Sequence, residues 1–285
     1  MGTNSNGAYH IHISSKHKWF DLKLKEVWRY KDLIWLFTKR SFTLSYKQTV
    51  LGPAWLFLQP FLSSVVYTFL FGGIIGMSTD GIPQILFYLS TNSLWGYFSS
   101  CFSGNASTFT SNAGVFGKVY FPRLTTPISN VFASIIRFFI QMLMVAGFLI
   151  YFIITGDVSP NWYALIFLPI TLIHLGIMGM GFGIIVSSFT TKYRDLTVFV
   201  SFGITLWMYG TPVIYPLSQL SDGILKTIII YNPVTPSMEF FRFALLGKGE
   251  ILLLPLLVSW IFTIIVAIFG IIVFNRIERT FMDTV

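Results

Sequence analysis

The chain alternates between long apolar runs and short polar, basic ones. Six runs stand out: Ala54–Met77, Ile82–Ser103, Pro127–Ile154, Trp162–Phe189, Thr197–Tyr215 and Ile251–Phe274. Each approaches or exceeds the roughly 20 residues that carry a helix across the hydrocarbon layer. Because the runs are continuous rather than alternating, a closed barrel of strands is excluded. The pattern predicts an all-α polytopic membrane protein with six transmembrane helices in a domain spanning 54–275. The second run is the most polar, carrying Gln84, Ser90, Thr91, Asn92, Ser93, Ser99 and Ser100. The third contains one charge, Arg137, and the fourth a histidine, His174.

The stretch 216–250 has a different rhythm. Ile224–Tyr231 and Met238–Leu246 are apolar but too short to span, and Asn232-Pro233 and Thr235-Pro236 separate them. Proline tends to end a helix at the preceding residue. Two short helices dipping toward the membrane are predicted, with a hairpin lying on the lipid surface as the alternative. Irregular backbone at depth needs protein or a water cavity around it.

Composition agrees with the spans. Hydrophobic residues make up 54% of the chain, charged residues 11%, and the mean hydropathy is +0.71. Soluble domains carry about 25% charged residues. The net charge of +8 would suggest nucleic acid in a soluble protein, but its placement gives it another meaning. If six spans alternate, fifteen Lys and Arg fall on the side of the termini and three, Lys226, Arg242 and Lys248, on the other. The positive-inside rule then places both termini in the cytoplasm and 216–250 outside it. Within residues 1–53, Trp28, Tyr30, Trp35 and Phe37 mix with Arg29, Lys31, Lys39 and Arg40, a composition expected of an amphipathic helix in the headgroup layer. Residues 1–33 hold no continuous apolar region, so the first span is expected to serve as its own insertion signal. Residues 276–285 form a cytoplasmic tail.

Chemistry is sparse. Cys101 is the sole cysteine, so no internal disulfide or cysteine-rich metal site can form, and no metal site is expected. Gly117-Lys118 is not a phosphate-binding loop, because Asn112 stands where the first glycine belongs and Val119 follows the lysine. His10, His12 and His17 lie together in the first twenty residues, and a disordered tail is the simpler reading for them. The spans hold no pair of carboxylates for ion coupling. The chain is expected to be no enzyme and to draw energy from another polypeptide.

Four motifs carry a resemblance. Tyr46 to Pro60 reads YKQTVLGPAWLFLQP, Lys118 to Arg123 reads KVYFPR, Tyr193-Arg194-Asp195 follows span four, and Tyr231-Asn232-Pro233 lies in the dipping region. Together they resemble the ABC-2 type permeases that export O-antigen, capsular polysaccharide and teichoic acid. The resemblance runs from about Tyr30 to the end of the chain. It implies a homodimer in the bacterial cytoplasmic (inner) membrane, with two copies of a cytoplasmic ABC ATPase that bind ATP and Mg. This chain itself would hold no cofactor. It also implies an N-terminal amphipathic interface helix, and two short extracytoplasmic gate helices between helices 5 and 6. The cargo would be a glycan on undecaprenyl diphosphate, with no nucleic acid among the partners. An ABC-2 exporter of small lipids or drugs is a rival reading. A membrane-embedded glycosyl- or acyltransferase is a further one, though no catalytic acid or histidine stands out at a membrane face.

Candidate residues follow from that frame. Asn92, Trp95, Tyr97 and Ser99 in span two, Arg137 in span three, and Trp207, Tyr209 and Tyr215 in span five are candidate channel residues. Aromatic faces stack on sugar rings and hydroxyls bond to them. Interhelical bonding and an interfacial aromatic belt explain the same residues. Lys118, Tyr120, Phe121, Arg123, Lys192, Tyr193, Arg194 and Asp195 are candidates for docking the ATPase or gripping the lipid diphosphate, with positive-inside anchoring as the alternative. Tyr231, Asn232, Pro233, Glu239 and Arg242 are gate candidates. Glu239 and Arg242, three apart, can pair on one helix face as a latch or as a local ion pair. Gly52-Pro53 and Pro60 are expected to kink the entry to span one. Gly176, Gly179 and Gly183 are expected to pack against another helix, and His174 to be neutral and hydrogen-bonded.

Overall fold

A computed structural model describes residues 24–281 except 117, 119, 120, 191, 192 and 194. Twelve α-helices occur among the described residues, and no strand. They are α1 (Leu24–Arg29), α2 (Lys31–Leu44), α3 (Trp55–Tyr67), α4 (Gln84–Ala106), α5 (Thr108–Phe116) and α6 (Thr125–Ile154). After these come α7 (Trp162–Leu165), α8 (Leu168–Thr190), α9 (Leu196–Tyr209), α10 (Ile224–Ile230), α11 (Thr235–Leu246) and α12 (Leu253–Phe281).

Four helical stretches are long and apolar enough to cross a membrane: Gly52–Ile74, Thr125–Ile154, Leu168–Thr190 and Leu253–Ile277. The predicted second and fifth spans depart from that pattern for different reasons. Helix α4 has 23 residues but is diluted by its polar side chains. Helix α9 has only 14 residues; it stops at Tyr209 because Gly210, Pro212 and Pro216 follow. The predicted fourth span is split, with α7 separated from α8 just ahead of Pro169. The first span begins with a single 3-10 turn, Gly52–Ala54, that has Pro53 in its first turn, where a missing N–H costs nothing. It passes Pro60 and widens into a π-helix over Thr68–Ile74.

The bundle is built around α4 and α8. Leu86, Phe87, Leu89, Leu94, Phe98 and Cys101 of α4 are fully buried. The hydroxyls of Ser90, Thr91 and Ser93 bond back to carbonyls of their own helix, so these three can be enclosed with their donors satisfied, whereas the buried Tyr88 hydroxyl on the same helix has no hydrogen-bond partner. Close approach is permitted by the glycines of α8. A Cβ on Gly179 would stand 2.8 Å from the Cβ of Cys101, and one on Gly183 would stand 2.4 Å from the Cβ of Asn105. Helix packing is therefore the role of Gly176, Gly179 and Gly183. The opposite side of α8 meets α12, where Gly270 lies against the Gly181 carbonyl.

Contacts between helix ends fix the direction of each rod. At one end, Thr38 and Ser41 of α2 bond to Ser129 and Asn130 near the start of α6. At the same end Phe109 of α5 stacks on Phe274 of α12 at 4.6 Å, and the Thr190 hydroxyl closing α8 donates to the Ala106 carbonyl closing α4. Helix α5 falls in what the sequence leaves as a loop. Its Phe109 and Phe116, two turns apart, join an aromatic cluster with Phe121 and Phe37. Helices α10 and α11 lie at the other end of the bundle. On helix α2, Ile34 and Thr38 are buried, while Trp35, Leu36 and Leu44 stay exposed beside Lys39 and Arg40.

Candidate functional site: a buried hairpin and the open face of α4

The segment joining α9 to α12 folds inward. Helix α10 is largely exposed, with Ile224, Leu225 and Ile228 outward, whereas α11 buries Thr235, Ser237, Met238, Glu239, Phe241 and Arg242 among α4, α7, α8 and α12. Between them Asn232 uses both amide protons and both oxygen lone pairs. It donates to the Gly210 carbonyl (2.7 Å) and to Thr211 Oγ1 (3.0 Å), and it accepts from Trp207 Nε1 (3.0 Å) and the Val234 amide (3.2 Å). The carbonyl freed where α9 ends is thus satisfied by the hairpin tip. Helix α11 ends at Gly247, which adopts φ 70 in the left-handed region that favours glycine; a Cβ there would stand 2.0 Å from the Ser159 carbonyl oxygen.

Glu239 and Arg242 pair at 2.7 Å, each side chain only 2% exposed. Arg242 also donates to the Pro212 carbonyl, and its guanidinium lies over the Phe87 ring, 4.7 Å from the centroid. The pair therefore fastens α11 to α4 and to the non-helical strip after α9. Burial raises the pKa of the Glu239 carboxyl, and the Arg242 charge opposes that shift. Burial lowers that of Arg242, opposed first by Glu239, yet a guanidinium keeps its proton in proteins. On the exposed side of the hairpin, a hydrogen bond from Lys226 holds Asp222 below the usual carboxylate range.

His174 completes the hairpin's seat. Its Nδ1 meets Ser237 Oγ at 2.8 Å, and its Nε2 meets Ser259 Oγ at 3.1 Å and Thr263 Oγ1 at 3.0 Å. Ser259 donates its own proton to the Pro233 carbonyl, so its oxygen accepts from the ring. That assigns the proton to Nε2 and leaves Nδ1 to accept from Ser237. Sequence reasoning placed a bonded histidine here but missed Ser237, Ser259 and Thr263. The spacing of Ser259 and Thr263, one turn apart on an otherwise apolar helix, was the available signal.

The channel candidates separate into two groups. Trp95 and Tyr97 are enclosed within the protomer; Tyr97 donates to the Leu172 carbonyl at 3.0 Å and Trp95 packs on Phe98. Trp207 stands edge-on to Phe98 and Phe182. These three are structural contacts between helices. Asn92 and Ser99 lie instead with Gly96, Ser100 and Ser103 on the one face of α4 that its neighbours leave half-open. Tyr209 is exposed at the end of α9, in line with Thr205 one turn and Ser201 two turns earlier, and its carbonyl accepts from the half-buried Tyr215 hydroxyl. Arg137 sits apart on α6, bonded to Ser134.

At the opposite end, Phe121 is buried in the aromatic cluster, and Arg123 is only 5% exposed with its guanidinium 5.3 Å from the Phe116 ring centroid. Lys118, Tyr193 and Asp195 are exposed. Tyr120, Lys192 and Arg194 lie outside the described residues.

Comparisons with known proteins bear on this arrangement. Residues 32–246 match the family model described as ABC-2 type transporter. A protein of Klebsiella pneumoniae named O-antigen export system permease protein RfbA is 28% identical over 253 residues, covering 88% of this chain and 94% of the relative. A protein of the same name from Myxococcus xanthus is 28% identical over 223 residues, covering 77% of this chain and 82% of the relative. A match across most of the chain, together with its apolar helical bundle, establishes that the protein belongs to the ABC-2 type transporter family of membrane proteins.

Proposed function

We propose that the chain is the membrane permease subunit of an ATP-driven exporter. Its cargo would be lipid-linked polysaccharide, such as O-antigen on undecaprenyl diphosphate, carried across the bacterial cytoplasmic membrane. The observation that carries this is the near full-length similarity to two permeases named for O-antigen export. In this reading two copies form the channel and two ABC ATPase subunits bind ATP and Mg on the cytoplasmic side.

Six crossings per copy are supported by the directions of the rods. Helix α2 packs on the start of α6, so a chain that leaves that level along α3 must return along α4. Helices α8 and α12 both run toward the α5 end, so the chain must climb back between them along α9. Helix α9 covers only about 21 Å by its rise, short of the roughly 30 Å hydrocarbon layer. The strip 210–216 completes the crossing. Its carbonyls are held by Asn232, Arg242 and Thr91, the protein cover that irregular backbone needs at depth.

The half-open face of α4, with Asn92, Ser99 and Ser103, is the protomer's contribution to the glycan path, flanked by Ser201, Thr205 and Tyr209 of α9. Hydroxyls and small residues let an uncharged glycan slide past without deep binding minima. The α10–α11 hairpin is the outer gate, seated through Asn232, Arg242 and His174. Lys118, Tyr193 and the aromatic cluster beneath α2 transmit ATPase movement. Deleting the gene tests the reading: glycan on its lipid carrier should accumulate in the cytoplasm. Normal surface glycan in the deletion strain would overturn it.

A further inference from the structure

Arg137 is a cation without a counter-charge. Its Nη2 donates to Ser134 Oγ at 2.9 Å, its Nε is buried with no hydrogen-bond partner, and no carboxylate pairs with it among the described residues. None of the six apolar runs contains Asp or Glu. That excludes two sources of compensation at once. The chain's own spans cannot supply an anion, and a second copy, having the same spans, cannot supply one either. Beyond the spans on the α2 side, Asp32 of α2 and Asp195 ahead of α9 are both exposed. A guanidinium in an apolar medium is costly unless an anion or water meets it.

Its position says which anion can. Helix α2, read as lying in the headgroup layer, touches α6 at Ser129 and Asn130. Arg137 is about 10 Å further along by the helical rise. Helical side chains lean toward the N-terminus, and the bond to Ser134 shows this one doing so. The guanidinium therefore sits only a few ångströms deeper than the headgroup layer. Asn130, Ser134, Arg137 and Gln141 recur at i, i+4, i+7 and i+11, a polar stripe on one face of α6 that begins at the α2 contact. Asn130 donates from this stripe to the Gly104 carbonyl of α4.

We propose that the Arg137 guanidinium binds the phosphate of a membrane lipid drawn inward from the cytoplasmic leaflet. Planar N–H donors suit phosphate oxygens, and the unused donors supply a charge-assisted contact that no carboxylate among the described residues completes. The phosphate can belong to bulk anionic lipid or to the diphosphate carrier of the cargo; the second source rests on the export reading above.

Native mass spectrometry of the purified full chain distinguishes them, using undecaprenyl diphosphate against undecaprenol and phosphatidylglycerol against diacylglycerol. The wild type should retain at least one phosphate lipid over its phosphate-free counterpart by about tenfold or more, equivalent to about 1.4 kcal/mol. Arg137→Gln should abolish that preference and Arg137→Lys should keep part of it, both with unchanged elution volume in size exclusion. Discrimination of the polyprenyl pair alone assigns the carrier; discrimination of both pairs assigns lipid phosphate in general. No preference in the wild type, or the same preference in Arg137→Gln, overturns the site. Retention is read without transport, so normal surface glycan in the deletion strain would remove the cargo source while leaving the phosphate site standing.

Discussion

The pairing of Glu239 with Arg242 could be read from their spacing, since residues three apart share a helix face. Its weight could not, because that comes from Pro212 and Phe87, which are remote in sequence. A local ion pair on an exposed helix contributes a few tenths of a kcal/mol; one that is 2% exposed obeys different rules. Removing one partner strands the other, at a cost of about 3–5 kcal/mol, whereas replacing both with apolar groups of similar size is close to neutral. Glu239→Gln should therefore lower the thermal unfolding midpoint of the detergent-solubilised protein more than the double variant Glu239→Leu with Arg242→Met. A double variant less stable than Glu239→Gln alone would show that the Arg242 contacts with Pro212 and Phe87 outweigh the ion pair.

Among the elements, α4 and α8 were the hardest to interpret. Length and hydropathy reveal a helix, but not which face another helix covers. The small residues of α8 pointed to close packing, and Gly183 meets α4 there. The aromatic residues of α4 pointed equally to a channel wall and to a core, and Trp95 and Tyr97 went to the core. Boundaries failed where proline and glycine act: α9 ends at Tyr209 rather than Tyr215, and α8 starts at Leu168. Two glycines test the packing. Gly183→Ala forces a Cβ against Asn105 and the Phe102 carbonyl and should cost about 1–3 kcal/mol. Gly203→Ala on α9 meets nothing within 4 Å and should be neutral or stabilising by up to about 1 kcal/mol. Thermal unfolding of the two variants side by side checks both. A third glycine tests the path. A Cβ at Gly96, on the half-open face of α4, also meets nothing within 4 Å. Gly96→Trp should fold normally while removing most surface glycan; full export with a folded variant would move the path elsewhere.

For the whole molecule, the all-helical class was legible in the apolar runs, and the contacts of the hairpin were not. Charge asymmetry between segments is a global signal that survives errors in any one boundary, so the expectation set by fifteen Lys and Arg against three does not depend on the two spans that depart from their expected form. The hairpin's depth depends on polar contacts between segments far apart in sequence, His174 with Ser237 and Asn232 with Gly210, and no local pattern encodes them. Both properties meet in one measurement. Cys101, the sole cysteine, is fully buried, so cysteines introduced at exposed positions report their own side of the membrane. Lys47 and Lys118 belong to the α2 end, and Asp222 and Lys248 to the hairpin end; all four are exposed. In spheroplasts, a membrane-impermeant maleimide should label Asp222→Cys and Lys248→Cys directly, and Lys47→Cys and Lys118→Cys only after the membrane is opened. Ser237→Cys, buried at the foot of the hairpin against His174, should stay unlabelled until that seat is released by His174→Phe. Labelling of Lys118→Cys from outside would mean that α4 does not cross, and the six-span reading would fall with it. Immediate labelling of Ser237→Cys would instead leave the topology intact and place the hairpin on the surface.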